Sequence, residues 1–164
     1  MNIRKMTIMT MFVAIAVAGS VFVSFPAGIA RAYPIQHAVN VLAAIMLGPV
    51  PALIIAFLTG LVRLLTGTGS LLAFPGGMIG AYLAGVLYKR SGKAMFAAIG
   101  EIIGTGLIAS LFAVPYAKIL MGTTVTALFF MPPFLVSSVS GAALGLVLAT
   151  RLQHAQIGKK LETL

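Results

Sequence analysis

The stretch MTIMTMFVAIAVAGSVFVSFP, Met6 to Pro26, contains no charged residue and begins directly after Arg4 and Lys5. As a helix rising about 1.5 Å per residue it covers roughly 30 Å, the thickness of the hydrocarbon core of a bilayer. The rest of the chain repeats the signal. Of 164 residues, 60% are hydrophobic and 8% charged, and mean hydropathy is +1.12, whereas soluble domains are about 25% charged. The length holds several spans and no separate soluble domain, so residues 1–164 read as one membrane-embedded domain. Lys and Arg outnumber Asp and Glu by 11 to 2. These cations sit in short clusters between apolar runs, a placement suited to lipid headgroups and not to nucleic acid, which needs a basic face. With no cysteine, disulfides, thiolate metal sites and a cysteine nucleophile are excluded.

Five more apolar stretches follow: about Pro34 to Leu47, Val50 to Thr66, Leu71 to Tyr88, Ala94 to Tyr116, and a last one ending near Thr150. Gly48, Pro49 and Pro51 turn the chain after the second, and Gly67 to Ser70 break it after the third. Lys89 to Lys93 form a polar connector after the fourth. Pro132 and Pro133 either open the sixth helix in its first turn or kink a longer one that begins near Thr126. The expected fold is therefore an all-α integral membrane protein with six transmembrane helices.

Charge placement orients these helices. With a cytoplasmic N-terminus, Arg4, Lys5, Lys89, Arg90, Lys93, Arg151, Lys159 and Lys160 fall inside, and Arg31, Arg63 and Lys118 fall outside or near the outer surface. This positive-inside bias puts both termini in the cytoplasm. Arg4 and Lys5, the apolar run and Ala30, Arg31, Ala32 also resemble a secretory signal. The run is too long for a signal core, and removing it would spoil the charge pattern.

Lipid offers no hydrophobic drive for helices to associate, so close backbone approach at small residues must supply it. Such residues recur four apart: Ala14 and Ala18, Gly76 and Gly80, Gly80 and Ala84, Gly100 and Gly104, Gly141 and Gly145. Polar residues within apolar stretches cost free energy unless paired or facing a cavity. Arg31, Tyr33, Gln36, His37 and Asn40 crowd the outer half of the second helix and the loop before it. Gln36, His37 and Asn40 can share one helical face, where ligand contact and interhelical hydrogen bonding are both open. Thr59, Arg63 and Thr66 share a face of the third helix, with Arg63 expected to snorkel to the outer interface. Glu101 and Thr105 share one on the fifth, with Glu101 either a functional carboxylate or an ion-pair partner of the basic connector. His154 reads as solvated.

The sequence has no GxxxxGK[ST] loop, HExxH or GxSxG, and one membrane carboxylate cannot serve as a paired acid and base. No catalytic residue, metal site or cofactor follows from it, and the chain does not read as an enzyme. Energy for uphill transport must come from another subunit or from an ion gradient.

Six short spans with both termini inside, Ala14 and Ala18 on the first helix, and no ATPase motif resemble a substrate-binding S component of an energy-coupling-factor (ECF) transporter. Within that group ARAYPIQHAVN (residues 30–40), TGLVR (59–63) and GTGSLLAFPGGMIG (67–80) closely resemble the ThiW family. The resemblance implies an S component of a bacterial plasma-membrane importer for the thiazole precursor of thiamine, hydroxyethylthiazole. Its partners would be a transmembrane coupling subunit and two ATPase subunits. It further implies substrate binding near the outer side, with Gln36, His37 and Asn40 giving hydrogen bonds and Tyr33, Phe74 and Tyr116 an aromatic wall. Ala14 and Ala18 match the motif that packs on the coupling subunit, although Ala16 and Gly19 leave the contact face open. A proton-coupled carrier using Glu101 and a non-transporting membrane scaffold are the competing readings.

The charge bias makes a direct prediction in this cysteine-free chain. Ser91→Cys should be shielded from an impermeant thiol reagent in intact cells, and Gly69→Cys should be labelled. Outside labelling of Ser91→Cys refutes the orientation.

Overall fold

The structure is a computed structural model describing residues 2–28, 30–122 and 126–154. Lys159 and Lys160, counted above among the inner cations, lie outside the described residues. Helix α1 spans Ile3–Phe22 and is capped by Asn2, whose side chain accepts a hydrogen bond from the Arg4 amide. A short antiparallel hairpin follows, β1 (Phe25–Ala27) and β2 (Ala30–Ala32), with Pro26 opposite Arg31. Then come α2 (Pro34–Leu47), α3 (Pro49–Leu65) and α4 (Ala73–Ser91). Next are α5 (Ala94–Glu101), a π-helical segment (Ile102–Ala109) and α6 (Ser110–Met121), which run on as one rod. Helix α7 spans Ala127–His154.

The described residues thus form an all-α bundle of six rods. Three are long and apolar enough to cross a membrane by length and composition: Ile3–Phe22, Ala94–Leu120 and Ala127–Gln153. Pro34–Leu47 and Pro49–Leu65 are apolar but shorter, so the six apolar stretches are six rods of unequal length. Two boundaries differ from expectation. The first helix stops at Phe22, because Phe25 and Pro26 join the hairpin. The last rod is the longer alternative, carrying Pro132 and Pro133 inside it.

Local chemistry sets the turns. Pro34 and Pro49 open their helices, where the missing proline N–H has no helical partner to lose. One residue, Gly48 at φ 88°, separates α2 from α3; a side chain would be strained in that backbone region. After α3 the chain makes a Schellman turn: the Thr68 amide donates to Arg63 O at 2.9 Å and the Gly67 amide to Leu64 O at 3.1 Å, with Gly67 at φ 69°.

Helix α2 is the central rod. It contacts α1, α3, α4, α5 and α7, and its buried residues run from Pro34 through Ile45 on every side, as expected of a helix with no polar face to solvate. The rods alternate in direction, so Arg4, Lys5, Lys89, Arg90, Lys93 and Arg151 gather at one end. Arg31, Arg63 and Lys118 lie toward the other.

The small residues four apart mark where backbones meet. A Cβ on Gly104 would sit 2.6 Å from Gly80 Cα, and one on Gly100 would sit 2.8 Å from Ala84 Cα. One on Gly145 would meet Val41 and Ala38 of α2 at about 3 Å. These pairs are internal packing. A side chain at Gly69 would likewise press on Arg63 Cβ at 2.9 Å, so exposed Ser70 is the better outer position for cysteine labelling. Gly104→Ala should destabilise the bundle by about 1–3 kcal/mol, the usual cost of overpacking. Thermal unfolding in detergent measures it, and an unchanged midpoint would show that α4 and the π segment can part without loss.

Candidate functional site

Helix α2 has 14 residues, a rise of about 21 Å where the hydrocarbon core is about 30 Å thick. Its first turn contributes Gln36 and His37 to the floor of a cavity. The hairpin, the 67–72 loop and the start of α4 surround the space above that turn. That space is a cavity of about 480 Å³, lined by Tyr33, Gln36 and His37 from the start of α2, and by Arg63 and the Gly67–Ser70 loop. Gly76 and Gly77 of α4, Thr105 of the π segment, and Pro133, Phe134 and Ser137 of α7 complete its walls. The volume suits one small molecule.

Arg63 is held on three sides. One guanidinium nitrogen donates to Gln36 Oε1 and another to Thr68 O at 3.0 Å, while its plane lies 3.8 Å over the Tyr33 ring. It is 2% exposed, which corrects the expectation that it snorkels to the interface. The loop that its own carbonyl caps returns to its side chain, so the Schellman turn and the guanidinium fix each other. With its oxygen used by Arg63, Gln36 presents Nε2 as a donor.

Glu101 is fully buried. Its Oε1 accepts from His37 Nδ1 at 2.6 Å and from Asn40 Nδ2 at 3.1 Å, with the Thr105 hydroxyl also at 3.1 Å. Oε2 has no partner among the described residues. Glu101 thus faces α2 and not the basic connector, which corrects the alternative of an ion pair there. Asn40 sends a second bond to Gly77 O at 3.2 Å, so both its amide protons are used between helices and it does not line the cavity. With Nδ1 taken up by the Glu101 carboxyl group, Nε2 is the His37 ring nitrogen left for a ligand. His37 lines the cavity; Asn40 and Glu101 orient it.

The other expected residues separate. Tyr33 lines the cavity. Phe74 and Tyr116 line a second, apolar groove with Phe57, Met78 and Phe112, so they do not wall the same space. The aromatic groups of the cavity are Tyr33 and Phe134, and Phe134 was not anticipated. Its signal was the run Ser137, Ser138, Ser140 in the last apolar stretch, hydroxyls that imply a polar neighbour nearby. Ser137 accepts from the Tyr33 amide at 2.8 Å, which ties α7 to the start of α2. Ala14 and Ala18 lie exposed on α1, while Ala16 and Gly19 turn inward, Gly19 against Ile35. Among the described residues no three His, Asp or Glu side chains come together as metal ligands.

A profile described as thiamine-precursor transporter protein (ThiW) matches residues 6–155, while no curated protein matches the chain. The matched range covers five rods whole, the first from Met6 onward, and every residue lining the cavity. The chain belongs to the ThiW family of thiamine-precursor transporters, a family of transporters and not of enzymes.

Proposed function

We propose that this protein is the substrate-binding S component of an ECF importer in the bacterial plasma membrane, taking up the thiazole precursor of thiamine, with hydroxyethylthiazole as the first candidate. A transmembrane coupling subunit and two ATPases would supply the energy, and both termini would face the cytoplasm. One observation carries the reading: the segments 30–40, 59–63 and 67–80, on which the resemblance rests, are the ones that fold around the cavity. Only Thr105, Pro133, Phe134 and Ser137 among its lining residues come from elsewhere, Leu72, Ala73, Gly76 and Gly77 included within those segments.

The docking face is supported by contrast. The small pairs of α4, α5 and α7 are consumed by packing, whereas Ala14 and Ala18 remain exposed beside Met11 and Ile15, which are 58% and 50% exposed. An apolar helix face with small residues four apart is suited to another helix in lipid.

A second reading, a proton-coupled carrier, is favoured by Glu101, whose Oε2 is buried without a partner among the described residues while its Oε1 bonds cavity-lining His37. The two readings separate at Glu101→Gln. That change keeps the shape and an acceptor for His37, so an S component retains ligand binding and ATP-driven uptake, while a proton-coupled carrier loses accumulation.

Two measurements test the main reading. His37→Ala should weaken hydroxyethylthiazole binding by roughly tenfold to a hundredfold, the equivalent of about 1–3 kcal/mol for a buried hydrogen bond lost; calorimetry on the purified protein reads it, and unchanged affinity removes His37 from the site. Ala14→Trp and Ala18→Trp should abolish uptake in cells while leaving binding by the isolated protein intact. Normal transport by both variants would show that α1 is not the docking helix.

A further inference from the structure

The cavity is electrostatically one-sided. Arg31 and Arg63 line it, and among the described residues no carboxylate does. The chain has only two acidic residues, Glu101 and Glu162; Glu101 is committed to His37 and Asn40, and Glu162 lies outside the described residues. Arg63 is therefore a buried cation whose contacts among the described residues are an amide oxygen, a backbone carbonyl and an aromatic ring. Carbonyl dipoles and a ring quadrupole offset only part of the cost of burying a full charge.

The donors around Arg63 are unspent as well. Its Nε is buried with no partner among the described residues. Gln36 presents Nε2, because Arg63 occupies its oxygen. Helix α4 has no side-chain cap at its N-terminus, and the Ser70 and Leu72 amides, both belonging to residues on the cavity wall, have no acceptor among the described residues. A buried cation and the unaccepted Ser70 and Leu72 amides, in the turn whose own carbonyls take up the first amides of α4, form a receptor for negative charge.

We propose that Arg63, with the Ser70–Leu72 amides, is an oxyanion subsite, so that the precursor bound best is one bearing a phosphate ester or a carboxylate. The inference rests on the thiazole reading for the rest of the ligand, with His37 Nε2 and the Tyr33 and Phe134 rings left for its neutral heteroaromatic part. Arg63 suits the task because its guanidinium is held in place before any ligand arrives, so no side-chain freedom remains to be lost on binding.

The test uses the purified full-length protein in detergent and three probes: hydroxyethylthiazole, its phosphate monoester and the corresponding thiazole acetic acid. At least one acid should bind about tenfold or more tightly than the alcohol, and which one does identifies the oxyanion. The ratio should collapse toward one in Arg63→Gln and persist in part in Arg63→Lys. Because Arg63 also braces the loop, Ser70→Glu is a second variant: it adds a carboxylate at an exposed position on the same wall and should turn the preference toward the alcohol. Equal or tighter binding of the alcohol by the unaltered protein overturns the subsite while leaving the thiazole reading standing. If none of the three binds, yet inorganic pyrophosphate raises the melting temperature above chloride at equal ionic strength and does not in Ser70→Glu, the subsite stands and the thiazole reading falls. If no probe binds and no anion protects, both fall.

Discussion

A helix of 14 residues stands at the centre of a bundle whose neighbours run to 20 residues and more, and the remainder of the molecule accommodates that mismatch. Helix α2 is buried on all sides, so its polar residues cannot reach water and must find partners in the rods around it. Because it stops short, the chain before it has height to fill, and it does so with a two-stranded hairpin instead of more helix. Hydrogen bonding between β1 and β2 satisfies part of the backbone there, where a break in helical structure is tolerable because it borders a cavity.

Among the described residues Arg63 and Glu101 both lie buried inside the bundle, and neither partners the other. Arg63 is held by neutral acceptors and a ring, Glu101 by neutral donors. A direct ion pair would be self-contained and would close the space between them. Keeping the two groups on separate hydrogen-bonding networks leaves each of them only partly compensated, which concentrates polar character around the cavity in a chain that is 60% hydrophobic. The networks also link rods that lipid alone would not hold together: α2 to α3 through Gln36, α2 to α4 and α5 through Asn40.

Much of this was legible in the sequence. The bounds Pro34 and Leu47 were readable because proline and glycine punctuate them, and the turn at Gly67–Ser70 because its residues tolerate no long helix. The crowd of polar groups at the start of the second helix was visible as an anomaly in an apolar chain. What the sequence did not disclose was pairing at a distance. Gln36 meets Arg63 across 27 positions and His37 meets Glu101 across 64, and helical periodicity carries no information on which rods become neighbours. Arg63 was misjudged for the same reason: near a helix end, snorkelling and burial have the same local pattern, and the loop that folds back over it decides between them. The hairpin escaped because three-residue strands are too short for an alternating pattern to register.

The π segment between α5 and α6 has a consequence for how this architecture tolerates change. A wide turn holds more residues than an α-helical one, and in an α-helix each residue advances the face by about 100°. Glu101 sits at the threshold of the segment and Thr105 within it, while Gly104 rests on the backbone of α4. Removing one residue from Ile102–Ala109 would not merely shorten the rod: it would rotate everything beyond it relative to Glu101, carrying Ala113 and Ala117 away from the small cluster they form with Phe130. The number of residues in this stretch is thus as much a determinant as their identity, and natural variation here should favour exchange of side chains over insertion or deletion.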